Sequence, residues 1–470
     1  MDRSAPELAN KLGPNDPAGA TSPALLRTMG LFSLVVYGVG DMVGSGIYAT
    51  VGIAAGRLGN AVWLAFVVSM VAALFTGMSY ACLASRYPRA AGAAYVTHRA
   101  YGFSFLSYLV GLTVTASGLT SMATQTNAFA EYLRSMTGLS WYVIALTFLA
   151  VMTAINFWGI RQSMWTNLLC TAVEVGGLIF IIAVGARFWG SVNYLETPPA
   201  VDAQGVAVPT SLGPSLLLSG AVLTFFSFIG FEDMLNVAEE VKEPRRTMPW
   251  GIILALAVAT VLYIGVAVTA VSVVNYEDFA KPGAPLSKIA NRAAPWLPAR
   301  TFDFITLFAV ANTMLINYIM GSRLLYGMAR HGLLPSIIGR IHPARRTPHV
   351  AIFTLLVVVL ILAMSGGKNA IDSLASATAL LLLTAFIVVN TALVVLKLRP
   401  GEPTGAFEVP VFVPLVGVLI NATLIVARLT NPSADPHAPR IVGAIVLAVT
   451  ILYFTMRPTN VTEEALASVE

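Results

Sequence analysis

Twelve long apolar stretches joined by short polar links leave this chain one environment in which to fold. They run over 29–55, 61–85, 101–132, 140–158, 163–188, 214–238, 250–274, 301–328, 349–364, 370–397, 409–429 and 439–456. A helix rises 1.5 Å per residue, so stretches of this length match the roughly 30 Å of hydrocarbon in a bilayer. Lipid offers backbone groups no hydrogen bonds, and a helix satisfies its own. With 57% hydrophobic and only 11% charged residues, the 470-residue chain is expected to be all-α and multi-spanning.

The same pass excludes other classes. The net charge of +5 is carried by bases concentrated in the links, so no nucleic-acid partner is expected. Cys82 and Cys170 fall inside apolar stretches and suggest neither a disulfide framework nor a metal site. His98, His331, His342, His349 and His437 lie in links or at helix ends, and none forms HExxH. P-loop and GxSxG motifs are absent, no cofactor is implied, and an enzyme is unsupported.

Residues 1–28 are read as a polar tail, rich in Pro, Ala and Asn and without an apolar h-region. An even number of spans puts this tail and the C-terminal tail, 457–470, on one side. About 18 of the 28 Lys and Arg residues fall on that side, which the positive-inside rule makes the cytoplasm. A bacterial inner membrane is the expected location. Of the links, 86–100 is expected to be a cytoplasmic re-entrant or packed loop, 189–213 an external loop, 284–298 a short amphipathic external helix over the pore and 329–348 the most basic cytoplasmic loop.

The first stretch is unusual. Residues 35–56 read VVYGVGDMVGSGIYATVGIAAG, with six glycines and an acid. A helix beginning near Leu31 carries Asp41 about 15 Å deep, near the midplane. Glycine weakens a helix interior by roughly 1 kcal/mol, so Gly44-Ser45-Gly46 is the expected point of unwinding. Unwound backbone survives in a membrane only where it lines a cavity. The GxxxG spacings at Gly40/Gly44 and Gly52/Gly56 are also compatible with close helix packing alone.

A matching interruption follows at 225–241, FFSFIGFEDMLNVAEEV, where Gly230 precedes Glu232 and Asp233. Glu239 and Glu240 are expected to pair with the neighbouring bases Lys242, Arg245 and Arg246. Two interrupted helices in corresponding places point to an inverted-repeat transporter, with repeats at 29–188 and 214–397 and accessory helices at 409–456. At such breaks, free N–H groups attract an anion and free carbonyls a cation. A zwitterionic amino acid presents both.

These residues resemble a known family. GVGDMVGSGIYATVG is similar to the first-helix signature of the amino acid–polyamine–organocation superfamily. FFSFIGFEDMLNVAEEVKEPRRTMPWGI resembles its sixth-helix signature, particularly in bacterial relatives of cationic amino acid transporters. YPRAAGAAYVTHRAYG and GSRLLYGMARHGLLP add to the match. The resemblance implies a fold of five plus five inverted helices with discontinuous first and sixth members and two extra helices. It implies an amino acid permease working by alternating access. Gly44, Ser45 and Gly46 would meet the substrate carboxylate. Carbonyls of Met42, Phe226 and Ile229 would meet its ammonium, with Phe226 also the aromatic over the substrate. Glu232 matches an acid that some members use for gating or proton sensing.

At Glu174, along NLLCTAVEVGGLIFII, many proton-coupled relatives carry a lysine, so the sign of the charge is reversed. Asp41, Glu174, Glu232 and Asp233 are therefore the expected gating and coupling residues, with a proton as the coupling ion. Sodium between the first and eighth helices, using Thr306, Asn312 and Thr313, is an alternative. Amino acid/amine exchange is another, and a signalling amino acid sensor is a reading of a different class. The acids at Asp41 and Asp233 favour substrates with cationic side chains, or amines.

Overall fold

The computed structural model describes residues 27–89, 92–201, 207–208, 212–280, 285–298, 300–365, 370–430 and 437–456. Both expected tails lie almost wholly outside the described residues. Eleven described helical segments are long and apolar enough to cross a membrane, and a shorter apolar helix at 349–364 stands where the ninth was expected.

The first span is two helices, α1 (Leu31–Met42) and α2 (Ser45–Leu58). Its break falls at Val43 and Gly44, slightly before the expected point, because Gly44 takes ψ −147° and leaves helical space. Next come α3 (Val62–Arg86), α4 (Gly92–Tyr101), α5 (Ser104–Thr137), α6 (Trp141–Trp158) and α7 (Ile160–Gly185). The link at 86–100 is thus mostly helix rather than loop. Between α7 and the next span, β1 (Ala200–Val201) pairs antiparallel with β2 (Ala207–Val208).

The sixth span begins as α8 (Pro214–Phe225) and passes through a 3-10 turn at Phe226–Phe228. It breaks at Ile229 and Gly230 and resumes as a 3-10 helix, Phe231–Glu240. Gly230 has φ +131°, a backbone that a side chain strongly disfavours. Then follow α9 (Pro244–Val273), α10 (Tyr276–Ala280), α11 (Pro285–Ala293), α12 (Thr301–Arg330), α13 (His349–Ser365), α14 (Ala370–Leu398), α15 (Phe412–Thr430) and α16 (His437–Met456). The amphipathic stretch near 284–298 is the short helix α11.

Helix α3 packs along α9, and α5 packs along both α12 and α14. The short helix α1 lies among α7, α9, α12 and the 3-10 helix. Burial separates core from rim: 78% of the α12 span is buried, against 6% of α16. Leu447, Ile451 and Phe454 of α16 accordingly face outwards, where lipid replaces protein contacts. Polar pairs add direction where apolar packing has none. Asn390 of α14 and Asn421 of α15 both donate to Thr76 Oγ1 on α3, at 3.3 and 3.0 Å.

A buried charge cluster ties α12, α6 and the 3-10 helix together. Arg323 of α12 and Glu240 are both fully buried and pair at 3.3 Å. Arg323 also donates to Asn156 Oδ1 of α6 at 2.9 Å. The backbone oxygen of Glu240 accepts from the N–H groups of Thr28 and Met29, so the segment before α1 is tied to the same point. Glu240 therefore pairs across the bundle and not with the adjacent bases expected from sequence. In this dry setting its desolvation is compensated only by an exact partner. Replacing Glu240 with Gln leaves a buried guanidinium uncompensated and is expected to cost about 3–5 kcal/mol. The double change Glu240→Leu with Arg323→Met should recover most of that loss in detergent thermal-stability assays. Equal stability of Glu240→Gln and the parent would show that the pair carries no such energy.

A second cluster ties the α14–α15 link to the ends of α3 and α4. Arg86 donates twice to Glu408, each at 2.7 Å, and Lys397 also pairs with Glu408. Glu402 accepts from Arg99 at 3.1 Å and from Tyr87 at 2.7 Å. Burial raises the Glu408 carboxyl, but hydrogen bonds from Arg86, Lys397 and the Gly405 N–H outweigh it and hold it at about 2. An unfolded glutamate titrates near 4.3, so this contribution is present above about pH 4.3 and fades as pH falls towards 2. The thermal advantage of the parent over Glu408→Gln should be full at pH 7 and narrowed by roughly half at pH 3. A gap of constant size from pH 7 to pH 3 would overturn that assignment.

Candidate substrate site

The two breaks meet. A cavity between them is lined by Asp41, Met42 and Gly46 from the first span and by Phe226, Ile229, Gly230, Glu232 and Asp233 from the sixth. Ser117 and Gln125 of α5, Thr313 and Asn317 of α12 and Thr378 of α14 close the remaining walls. Seven of the ten residues expected at the site thus line one cavity. Gly44 and Ser45 are not among its walls, and the Ser45 side chain lies outside the described residues.

Glycine is required where the spans approach most closely. A Cβ on Gly46 would stand 2.9 Å from Ser227 Cα, and one on Gly230 would stand 2.9 Å from Asp41 Cγ. A Cβ on Gly44 would fall 1.8 Å from Thr313 Oγ1. The breaks are also joined by Tyr263 of α9, whose hydroxyl lies within hydrogen-bonding distance of both Met42 O and Ser227 O. It has one proton for two carbonyls, so it can donate to only one at a time. Tyr263 is fully buried and holds Phe228 in an edge-to-face contact at 5.0 Å.

The three acids of the cavity are not equivalent. Glu232 turns back on its own segment and accepts the Gly230 N–H at 2.9 Å, satisfying a donor that the break leaves free. Asp41 and Asp233 face each other from opposite spans, with their carboxyls within hydrogen-bonding reach. They are only 6% and 4% exposed. Asp41 Oδ2 and Asp233 Oδ1 have no protein partner.

Glu174 stands apart from this cavity, behind α1. It is wholly buried, and its Oε1 accepts from Asn312 Nδ2 at 2.7 Å. The same amide nitrogen lies 2.9 Å from Thr171 Oγ1 and 3.3 Å from Gly40 O. Asn167 donates to Asn312 Oδ1 at 2.9 Å, and Tyr48 donates to the Glu174 carbonyl at 3.0 Å. Glu174 Oε2 has no partner. The network joins α7, α12 and the residue preceding Asp41. Of the residues named for sodium, Asn312 belongs to it, while Thr306 and Thr313 donate to carbonyls of their own helix.

Sequence reasoning missed Tyr263, Arg323, Asn167 and Thr171. Each is a polar group within a long apolar run, and that was the available signal. Their partners on other helices lie 36 to 221 positions away along the chain, and only packing identifies them.

Comparison with known proteins adds an independent line. The model of a family described as amino acid permease matches residues 29–454. The branched-chain amino acid permease BcaP of Bacillus subtilis (strain 168) is 27% identical over 408 residues, covering 82% of this chain and 84% of that protein. The methylthioribose transporter of the same organism is 26% identical over 428 residues, with 86% and 88% covered. Cationic amino acid transporter 9, chloroplastic, of Arabidopsis thaliana is 28% identical over 347 residues, with 68% of this chain and 58% of that protein covered.

Proposed function

The chain belongs to the amino acid permease family, and we propose that it is a proton-coupled secondary carrier moving amino acids by alternating access. It is a multi-pass integral membrane protein, which we place in a bacterial inner membrane with both termini cytoplasmic. The observation that carries the reading is the meeting of two interrupted helices at a cavity lined by both. Breaks expose carbonyls and N–H groups for a zwitterion, while the surrounding continuous helices act as the frame. In this reading Gly44, Ser45 and Gly46 receive the carboxylate, and the carbonyls of Met42, Phe226 and Ile229 receive the ammonium. In the same reading, opening of the bundle where Arg323 and Glu240 meet requires that pair to part.

Proton coupling is assigned to Glu174. Its buried oxygen without a partner and its Asn312 link to Gly40 support a carboxyl whose charge is felt at the first break. The experiment is uptake of labelled amino acids into proteoliposomes with and without an imposed pH gradient. Accumulation that rises with the gradient is expected. Accumulation driven only by sodium, or only by an amine loaded inside, would replace the proton with those alternatives. Specific binding with no uptake of any of the common amino acids would make the protein a sensor.

A further inference from the structure

We propose that Asp41 and Asp233 form a site for a single positive charge, taken alternately by a proton and by the cationic side-chain end of the substrate. The proposal rests on the carrier reading above and concerns the same cavity. Among the described residues its walls carry three carboxylates and no Lys, Arg or His. Glu232 is committed to the Gly230 N–H, which leaves the other two acids to face each other across the breaks.

The carboxyls belong to different spans, α1 and the 3-10 helix. They approach because Gly230, at φ +131°, presents no side chain to Asp41. Two carboxylates contain no donor, so a hydrogen bond between them exists only while one holds a proton. Without that proton they repel, and a cation placed between them restores attraction. Each retains a buried oxygen with no protein partner, Asp41 Oδ2 and Asp233 Oδ1, available to an ammonium. The arrangement therefore exchanges one positive charge for another, and the pair keeps the same net single negative charge in both states, never the doubly ionised form that is costliest in the membrane interior.

Other titratable groups lie close enough to act on the pair electrostatically, Glu174 from behind α1. Glu232 lies on the 3-10 helix, Glu174 on α7, Tyr37 on α1, Tyr80 on α3 and Tyr263 on α9. None of these can supply a positive charge. Arg323 is already engaged by Glu240, Asn156 and Ser322. Proton and substrate thus compete directly: acid should weaken a substrate with a terminal ammonium and spare its uncharged analogue. The α-ammonium is not involved, since carbonyls at the breaks receive it.

The test compares lysine with norleucine, which has the same carbon chain without the terminal ammonium. Binding of each to the purified full-length protein is measured between pH 5.5 and pH 8. Lysine affinity should fall at least tenfold from pH 7.5 to pH 5.5, while norleucine changes less than twofold or does not bind. Asp41→Asn and Asp233→Asn should each weaken lysine at least tenfold at pH 7.5 and flatten its pH dependence. Because either variant could be poorly folded, the wild-type pH comparison stands as a separate measurement. Lysine that binds no better than norleucine at pH 7.5, or that shows the same pH dependence, overturns the proposal. If neither ligand binds while other amino acids are taken up by proteoliposomes, the charge site is wrong and the carrier reading stands. No uptake of any amino acid overturns both.

Discussion

Glu174→Gln is expected to abolish accumulation driven by a pH gradient while leaving exchange of labelled for unlabelled substrate measurable. The substitution keeps the size of the side chain and its acceptor oxygen. Asn312 can therefore still donate to it, and the contacts through Thr171 and Gly40 need not be lost. What disappears is the ability to gain and lose a proton. A carboxyl buried between α7 and α12 without a basic partner is costly when ionised, so proton uptake changes how firmly these helices and α1 are held together. Exchange needs only movement of the loaded carrier and does not use a net proton. A reduction to the gradient-free level, with exchange within a few-fold of wild type, supports the assignment. Undiminished gradient-driven accumulation moves coupling to Asp41, Asp233 or Glu232.

Gly46→Leu should eliminate substrate binding, a loss of at least a hundredfold in affinity. Even the first carbon of the new side chain would stand 2.9 Å from Ser227 Cα, a backbone atom that cannot simply rotate away. The remaining carbons must enter the cavity that Gly46 lines or push the two breaks apart. Gly230→Ala tests the same junction from the other span. There the substitution meets both an unfavourable φ of +131° and the Asp41 side chain at 2.9 Å. Binding assays alongside size-exclusion profiles separate a blocked site from a lost fold. A monodisperse Gly46→Leu protein with wild-type uptake would remove the first break from the substrate site.

Much of this architecture is legible along the chain. Apolar length dictates spans because lipid cannot satisfy exposed backbone, and glycine clusters inside such spans mark where helix gives way. The break near Gly44 and the one at Gly230 were both visible for that reason, as were the acids beside them. Their precise form was not. The first break falls at Val43 and Gly44, and the second half of the sixth span is 3-10 rather than α. Those choices depend on how tightly neighbouring helices close over the breaks, which local propensity does not encode.

Partnership is the other part that only tertiary structure decided. Glu240 sits among bases in sequence yet pairs with Arg323, because both are carried into one dry junction between the 3-10 helix and α12. Asp41 and Glu174 look like equivalent midplane acids, but α1 separates them, one facing the cavity and the other Asn312. Helical periodicity tells which residues share a face; it does not tell which face meets which helix. By itself the sequence determined the membrane environment, the helical class, the two interruptions and the acids near them. Packing decided which polar groups met, since a buried polar side chain in lipid must find its partner wherever the bundle brings one within hydrogen-bonding distance.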